Sequence, residues 1–320
     1  MNRIVLGKTN RKVSTISLGT WSYGGINTSG NVSVGWSGQN DQDSREALLR
    51  AWEVGINHWD TADVYGNGHA EKIIGSVWDS VPRKDIFLAT KVGWNKGSYE
   101  HYYHPDHMRK QVETSLKNLR TDYIDLYYFH HCRFGDETEY LDDALEMMLR
   151  FREEGKILFI GLSDWNQTKI MRVIDRINPD VVQPYRNVMD DHYVGSSLKS
   201  WIEEHNAGVC FFSPLKHGLL TGKYTKPVVF PRGDYRSHVD AFRDPEIIRK
   251  MRENRKLLED RFGNHPQPVL HGLIDVLLTD APTGCVLLGQ RNIKQVEAAA
   301  TLGRALSPED AAWVRNLYGN

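Results

Sequence analysis

The stretch that decides the fold is GINHWDTADVYGNGHAE, residues 55–71. Residues 56–59 form a short apolar run that predicts a buried strand, and a glycine-rich turn and an apolar pattern of helical period follow it. Asp60, Asp63 and Tyr65 therefore crowd the end of one strand, which is the place where α/β proteins carry their chemistry.

Seven other apolar runs resemble this one, because each is followed by a segment of helical periodicity. Regular alternation of strands and helices requires a parallel sheet, and eight units over 320 residues fit a closed (β/α)8 barrel, the TIM barrel, better than an open sheet. The first run ends in Gly-Thr-Trp and lacks the Gly-x-Gly-x-x-Gly fingerprint of a doubly wound dinucleotide domain. The predicted strands cover residues 13–18, 56–59, 85–92, 123–129, 157–162, 181–183, 208–212 and 286–288.

Two short segments at the start of the chain predict an additional element. Residues 4–5 and 12–13 flank a polar turn and indicate an N-terminal β-hairpin that plugs one end of the barrel. No linker and no shift of composition divides the chain, so we expect residues 1–320 to form a single barrel domain.

The composition excludes several classes of partner. The 40 basic and 41 acidic residues nearly cancel, which argues against binding to nucleic acid or to a membrane surface. The chain has no apolar run of membrane-spanning length and no signal peptide, so we expect a cytoplasmic protein. Cys132, Cys210 and Cys285 are too few and too dispersed to predict a disulfide framework or a zinc site, and we expect no metal.

Two loops stand out because each follows a predicted strand. Residues 216–244 contain no predicted element and exceed the roughly 12–15 residues usual for a loop. Lys223, Arg232 and Arg236 favour a lid that clamps an anion there, and the alternative is a disordered insertion. Residues 99–107 carry three histidines without a recognised metal-ligand pattern, so we expect a solvated loop or a wall of the substrate pocket.

Four residues at successive strand ends predict a proton-donating centre. Strand ends of a barrel converge on one face, so Asp60, Tyr65, Lys91 and His130 are expected to meet. A tyrosine is a weak acid with a pKa of about 10. We expect the Lys91 cation to lower the pKa of Tyr65, and Asp60 to hold that lysine in place. A histidine can donate to a carbonyl oxygen. Each residue alone has an ordinary structural explanation, such as a helix cap, a solvated strand end or a packed histidine.

At this point the sequence resembles the aldo-keto reductase family, and the matches run nearly end to end. The resemblance implies a (β/α)8 barrel with an amino-terminal hairpin and hydride transfer between NADP(H) and a carbonyl or an alcohol. The matching segments are residues 18–21 (LGTW), 55–66 (GINHWDTADVYG), 90–92 (TKV), 123–130 (YIDLYYFH), 155–163 (GKILFIGLS), 182–183 (VQ), 212–215 (FSPL), 218–223 (GLLTGK) and 289–295 (GQRNIKQ).

The resemblance implies a role for each catalytic residue. Tyr65 corresponds to the general acid, Lys91 and Asp60 to the residues that tune it, and His130 to the residue that orients the substrate oxygen. The implied substrate residues are Trp21, Tyr65, Trp94, His130 and His131.

The resemblance also implies a cofactor site. Ser163 and Gln183 correspond to the residues that hold the nicotinamide carboxamide, and Phe212 stands where a tyrosine usually stacks on the nicotinamide ring. Arg291 favours NADP over NAD, because a guanidinium group suits a phosphate. The implied cofactor residues are Gly19, Thr20, Trp21, Asp60, Ser163, Asp164, Gln183, Phe212, Ser213, Pro214, Leu215, Gly218, Leu219, Gly222, Lys223, Arg236, Gly289, Arg291 and Gln295.

Three departures from the family pattern bear on function. Asp164 stands where asparagine is usual and loses an amide donor for the carboxamide. Ala298 and Ala299 replace a Glu-Asn pair that contacts adenine, which weakens the expected preference for NADP. His131 replaces a tryptophan and, with Cys132 beside it, makes the pocket more polar.

The sequence thus leaves two functions in view. The first is an NADPH-dependent reductase of aldehydes and ketones. The second is a cofactor-binding regulatory subunit, because the β subunits of voltage-gated potassium channels resemble the same family. A glycosidase is disfavoured, since Asp60 and Asp63 are too close in sequence to flank a sugar as two carboxylates. The sequence indicates neither the physiological carbonyl substrate nor the oligomeric state.

Overall fold

An antiparallel hairpin opens the chain, as predicted. The structure is a computed structural model that describes residues 1–319. In it β1 (Arg3–Val5) pairs with β2 (Lys12–Ser14) across a 3₁₀ turn at Gly7–Thr9. Gly7 has a φ of +48°, and a Cβ there would lie 2.3 Å from the backbone nitrogen of Gly208, so only glycine fits. Leu6 and Val13 are fully buried against the barrel interior, and the hairpin therefore closes one end of the barrel.

Eight parallel strands form the closed barrel, and each pairs with its neighbours in chain order. This confirms the predicted TIM barrel, and the predicted strands lie within a few residues of the observed ones. A small antiparallel hairpin of β4 (Thr28–Ser29) and β5 (Val32–Ser33) lies in the loop after the first barrel strand. The eight barrel strands are β3 (Ile16–Gly19), β6 (His58–Asp60), β7 (Phe87–Val92), β8 (Ile124–Phe129), β9 (Ile157–Asp164), β10 (Val181–Pro184), β11 (Gly208–Phe211) and β12 (Gly284–Gly289).

Helices surround the barrel and begin where the sequence provides caps. The Asn166 side chain accepts hydrogen bonds from the first backbone N–H groups of its helix, and prolines open four other helices. The helices are α1 (Asp41–Glu53), α2 (His69–Gly75), α3 (Pro105–Leu119), α4 (Leu141–Glu153), α5 (Gln167–Ile177), α6 (Ser197–Glu204), α7 (Pro245–Arg261), α8 (Pro268–Leu270, extended by a π turn at His271–Asp275 and a 3₁₀ turn at Val276–Leu278), α9 (Ile293–Ala300) and α10 (Pro308–Tyr318).

Side chains alternate between two cores along each strand. Leu88, Val182 and Val286 point outward and pack under the helices. Their neighbours point inward and fill the barrel down to the hairpin: Phe87, Ala89, Leu126, Tyr128, Val181, Cys210 and Cys285. No helix among residues 1–319 is long and apolar enough to cross a membrane.

Three sequence predictions need correction. The segment 216–244 is neither structureless nor a disordered insertion, because it contains 3₁₀ turns at Lys216–Thr221, Tyr235–His238 and Asp240–Phe242. The histidine loop 99–107 is not solvated throughout, because Tyr103 and His107 are buried. The cysteines are dispersed in sequence only. Cys210 and Cys285 are register partners on adjacent strands.

Candidate active site

The carboxyl ends of the barrel strands meet around one cavity of about 860 Å³. The strand register brings the predicted residues to this face, because Gly19 pairs with Asp60 and Gln183 pairs with Ser163. Asp60, Tyr65 and His130 line the cavity. The four predicted catalytic residues therefore come together, with Lys91 lying buried directly behind the cavity wall.

A buried ion pair supports the centre. The Nζ of Lys91 donates to Oδ1 of Asp60 and, over 2.7 Å, to the carbonyl oxygen of Thr61. The other Asp60 oxygen accepts a hydrogen bond of 2.9 Å from the Gln183 side chain. Because Lys91 and Asp60 are each 1% exposed, these bonds compensate the cost of burying both charges. Gln183 thus positions the ion pair, a role that its predicted contact with the cofactor did not include.

Tyr65 differs from the prediction in its acidity. Burial, followed by the nearby carboxylates of Asp60 and Asp63, raises the pKa of Tyr65 well above its ordinary value. The predicted net lowering by Lys91 is wrong for the free chain, because burial and the two carboxylates outweigh this cation, which lies 5.2 Å from the centre of the tyrosine ring and is paired with Asp60. Tyr65 is consequently held as the neutral phenol, which is the form that can release a proton to a substrate.

His130 is held neutral beside the phenol. Burial, then the positive charge of Lys91, lowers the pKa of His130 well below its ordinary value. Its ring packs edge-on against Tyr65 and Trp94, with centroids 6.0 Å apart in each case. A neutral imidazole still has one N–H group, so His130 can donate a hydrogen bond to a carbonyl oxygen at neutral pH.

Asp63 lies behind the cavity and does not line it. Its Oδ2 accepts a hydrogen bond of 2.9 Å from Gln111, whereas its buried Oδ1 has no hydrogen-bond partner among residues 1–319. Burial raises the pKa of Asp63 to about 7. The residue therefore structures the loop and is a poor candidate for the catalytic acid.

Replacing Asp63 with asparagine is expected to remove a pH dependence of stability. A folded-state pKa of about 7 against an ordinary value of 3.8 means that the folded protein binds more protons, so stability falls as pH rises from about 4 to 7. At pH 8 the variant should be more stable than the parent by on the order of 2–4 kcal/mol, with little difference at pH 4. Urea unfolding at both pH values measures this. Asp79→Asn, at an exposed position, is the control, and an Asp63→Asn effect independent of pH would contradict the assignment.

Ser163 and Asp164, the two residues expected beside the nicotinamide carboxamide, differ in how far their side chains are already engaged within the protein. The Ser163 hydroxyl donates to the Gln183 backbone carbonyl over 2.9 Å and keeps its lone pairs for a ligand. Asp164 accepts two hydrogen bonds of 2.8 Å, from the backbone N–H groups of Cys132 and Asn166. An asparagine has only one acceptor oxygen for these two donors. The aspartate thus ties the loops after β8 and β9 together, which explains the departure in structural terms.

Basic side chains collect at the other end of the cavity. Lys223, Arg236 and Arg291 all line it. Burial, then repulsion from Arg236, lowers the pKa values of Lys223 and Arg291. A bound anion would relieve this repulsion. Most of the predicted cofactor residues line the same cavity, and two do not: Leu219 is fully buried in the core, and Gly222 packs against α7.

The long loops after β3 and β11 join across the cavity. The backbone N–H of Gly35 donates to Gly233, and that of Tyr235 donates to Gly35, over 3.0 and 2.9 Å. Asp234 accepts from Ser37 and from Arg236. The segment 216–244 thus forms a strap over one side of the cavity, and its role as an anion-clamping lid stays a prediction.

The sequence did not predict most of the aromatic side chains that line the cavity, two of which belong to the strap itself. Trp36, Trp165, His217 and Tyr235 line the cavity around the predicted Trp21, with the Trp21 and Tyr235 ring centroids 5.1 Å apart. The only signal was the presence of aromatic residues in long loops after strands, which does not reveal where their rings point.

The histidine loop packs behind the pocket wall, and none of residues 99–107 lines the cavity itself, so the expectation that this loop forms the wall is wrong. The Tyr103 hydroxyl donates to the His131 carbonyl over 2.5 Å, and the His131 ring lies 5.5 Å from that of Trp94. Both Trp94 and His131 line the cavity. Within residues 1–319, His101, His104 and His107 do not bring their nitrogen atoms together as a group of metal ligands.

Comparisons with known proteins agree with this geometry. Residues 15–318 match the model of the aldo/keto reductase family. The chain is 31% identical to "Aldo-keto reductase yakc [NADP(+)]" of Schizosaccharomyces pombe over 72% of this chain and 69% of that one. It is 28% identical to a "Probable voltage-gated potassium channel subunit beta" of Arabidopsis thaliana over 81% and 78% of the two chains. The solved glycerol dehydrogenase AKR11B4 of Gluconobacter oxydans is 28% identical, with a TM-score of 0.78 over 98% and 94% of the chains.

Proposed function

This chain belongs to the aldo/keto reductase family and is an oxidoreductase, and on that premise we propose that it uses NADPH to reduce aldehydes and ketones to alcohols. One observation carries the proposal: a neutral phenol and a neutral imidazole face a single cavity with a buried Lys91–Asp60 pair behind them. That arrangement suits proton donation to a carbonyl oxygen.

The two ends of the cavity would suit the two ends of a nicotinamide dinucleotide, an aromatic ring at one end and phosphate groups at the other. Lys223, Arg236 and Arg291 provide cations for phosphates, and Phe212 offers a ring for stacking near Ser163. When bound, the cofactor supplies the hydride. This chain then has to orient the carbonyl and protonate its oxygen.

The side chains divide that work between them. His130 donates a hydrogen bond to the carbonyl oxygen and aligns it with the Tyr65 hydroxyl. As negative charge develops on the oxygen, Tyr65 transfers its proton and the product is the neutral alcohol. The nearby Lys91 cation stabilises the phenolate that remains, and Asp60 and Gln183 hold the lysine in position.

The first test is cofactor binding followed by turnover. NADPH should quench the fluorescence of the nine tryptophans, several of which line the cavity, and should be oxidised with at least one aldehyde of a broad panel. If NADPH causes no quenching and is not oxidised with any aldehyde of the panel, the proposal is rejected. Quenching without oxidation of NADPH by any carbonyl, together with a stable protein partner in a pulldown, would favour the regulatory subunit.

The choice between NADPH and NADH should depend on Arg291. Its Nε donates to Gln39 over 2.8 Å, and its guanidinium also contacts backbone carbonyls of the β3 loop, which orients it at the basic end of the cavity. Arg291→Ala removes a charge-assisted bond worth about 1.5–3 kcal/mol, so kcat/KM for NADPH should fall roughly 10–100-fold while that for NADH changes little. Arg249→Ala on the exposed face of α7 is the control. If the ratio of kcat/KM for NADPH to that for NADH is unchanged in Arg291→Ala, Arg291 does not bind the phosphate that distinguishes the two cofactors.

A further inference from the structure

A polar cluster lies inside the barrel, and the proposed reaction does not use it. His58, Cys210 and Cys285 are fully buried there together with Ser17. They come from four successive strands of the closed sheet: β11, β12, β3 and β6. His58 precedes Asp60 by two residues, which places the cluster one layer of side chains below the cavity.

The cluster has the spacing of a metal site. Ligand atoms of His58, Cys210 and Cys285 all lie within 4.8 Å of one another. The Sγ of Cys285 lies 3.6 Å from Nδ1 of His58. A tetrahedral zinc ion with bonds of about 2.3 Å to sulfur and 2.0–2.1 Å to nitrogen places these two atoms about 3.5 Å apart. The free chain therefore already holds this ligand pair near its bound separation.

Charge and hydrogen bonding favour the same conclusion. Two thiolates and one divalent cation sum to zero charge, which makes the complete site compatible with a sealed apolar core. In the free chain the Cys285 thiol has long contacts, of 3.6 Å to Nδ1 of His58 and 3.7 Å to the carbonyl oxygen of Val209, and a thiol is a weak hydrogen-bond donor. Ser17 lies 2.8 Å from Nδ1 of His58 and can supply a neutral fourth ligand.

We propose that His58, Cys210 and Cys285 bind one Zn²⁺ ion inside the barrel, with the Ser17 hydroxyl as the fourth ligand. Binding forms two Zn–S bonds, one Zn–N bond and one Zn–O bond to the neutral Ser17 hydroxyl, while the two thiol protons and the water ligands of the ion leave to solvent. The ion joins β6 to β11 and β12 across β3, so its role is structural and independent of the reductase activity.

The N-terminal hairpin covers the proposed zinc site, so the ion has to enter before the chain has finished folding. Leu6 and Val13 of the N-terminal hairpin belong to the same buried cluster as Cys210 and Cys285 and cover that end of the barrel. The folded chain should therefore exchange metal slowly, whereas a refolding chain should take it up readily.

The test is to unfold the full chain in guanidinium with a chelator and to refold it with Zn²⁺ or Cd²⁺. After desalting, metal analysis should find about one ion per chain in the parent and in Cys132→Ser, the control. Cys210→Ala/Cys285→Ala should retain at least tenfold less. Absence of metal from the refolded parent, or equal retention by the double variant, would overturn the proposal.

A second measurement needs no variant and therefore does not depend on the stability of a mutant. The Cd²⁺-loaded parent should show the ultraviolet charge-transfer absorption of cadmium bound to two thiolates, and the native chain should exclude Cd²⁺ added after folding. A refolded protein without this absorption would reject thiolate ligation even if some metal were retained.

Discussion

Replacing Lys91 with methionine is expected to lower kcat of the proposed reductase by at least about 100-fold. The cation stabilises the phenolate that forms when Tyr65 gives up its proton, and methionine keeps the length of the side chain without the charge. Steady-state oxidation of NADPH with an accepted aldehyde measures the loss. Cofactor binding, followed by tryptophan fluorescence, should change less than threefold, because Lys91 does not line the cavity.

The same change should destabilise the protein, and a matched variant separates the two effects. Lys91→Met leaves Asp60 buried without its partner, a situation that costs about 3–5 kcal/mol. Asp60→Asn/Lys91→Met removes both charges and should recover most of the stability while remaining inactive. Recovery of activity together with stability would show that the ion pair only supports the fold.

The sequence predicted the barrel well because its signals are local and repeated. The run at 56–59 and the stripe of Met108, Val112 and Leu116 on α3 identify strand and helix without any knowledge of distant contacts. Once eight parallel strands are expected, their carboxyl ends must converge. That rule alone brings Asp60 and His130 to one cavity.

Contacts between distant segments could not be predicted in this way. The pairing of Gly35 with Asp234 joins two loops about 200 residues apart, and nothing in either loop specifies the other. Cys210 and Cys285 looked dispersed because only the strand register places them side by side. The direction of the Tyr65 pKa depends on burial and on the balance of charges around the phenol, and the order of residues contains neither quantity.

The function of Asp164 shows the same limit at a single position. Its mismatch with the family pattern was visible, and its cost was expected at the carboxamide. The structure shows that both carboxylate oxygens accept backbone N–H groups from two loops. The effect of a residue that differs from the family motif therefore depends on the hydrogen-bond partners that the folded chain places around it, and the motif alone does not contain them.

Tyr65→Phe is expected to lower kcat roughly 1000-fold and to leave NADPH binding within about twofold of the parent. The variant removes the proton donor, whereas the phenyl ring keeps its stacked contact with Trp21 at a centroid distance of 6.0 Å. Stopped-flow and steady-state oxidation of NADPH with the same aldehyde measure turnover, and fluorescence quenching measures binding. Tyr102→Phe, a half-buried tyrosine beside His131, is the control.

The pH profile of the parent tests the same assignment without a mutation. A raised pKa keeps the Tyr65 phenol protonated in the free chain, so kcat/KM should show no loss from deprotonation of the acid between pH 6 and about 9. A decline of kcat/KM through neutral pH that persists in Tyr65→Phe would belong to another group. Near-parental turnover by Tyr65→Phe would remove the Tyr65 phenol from the mechanism.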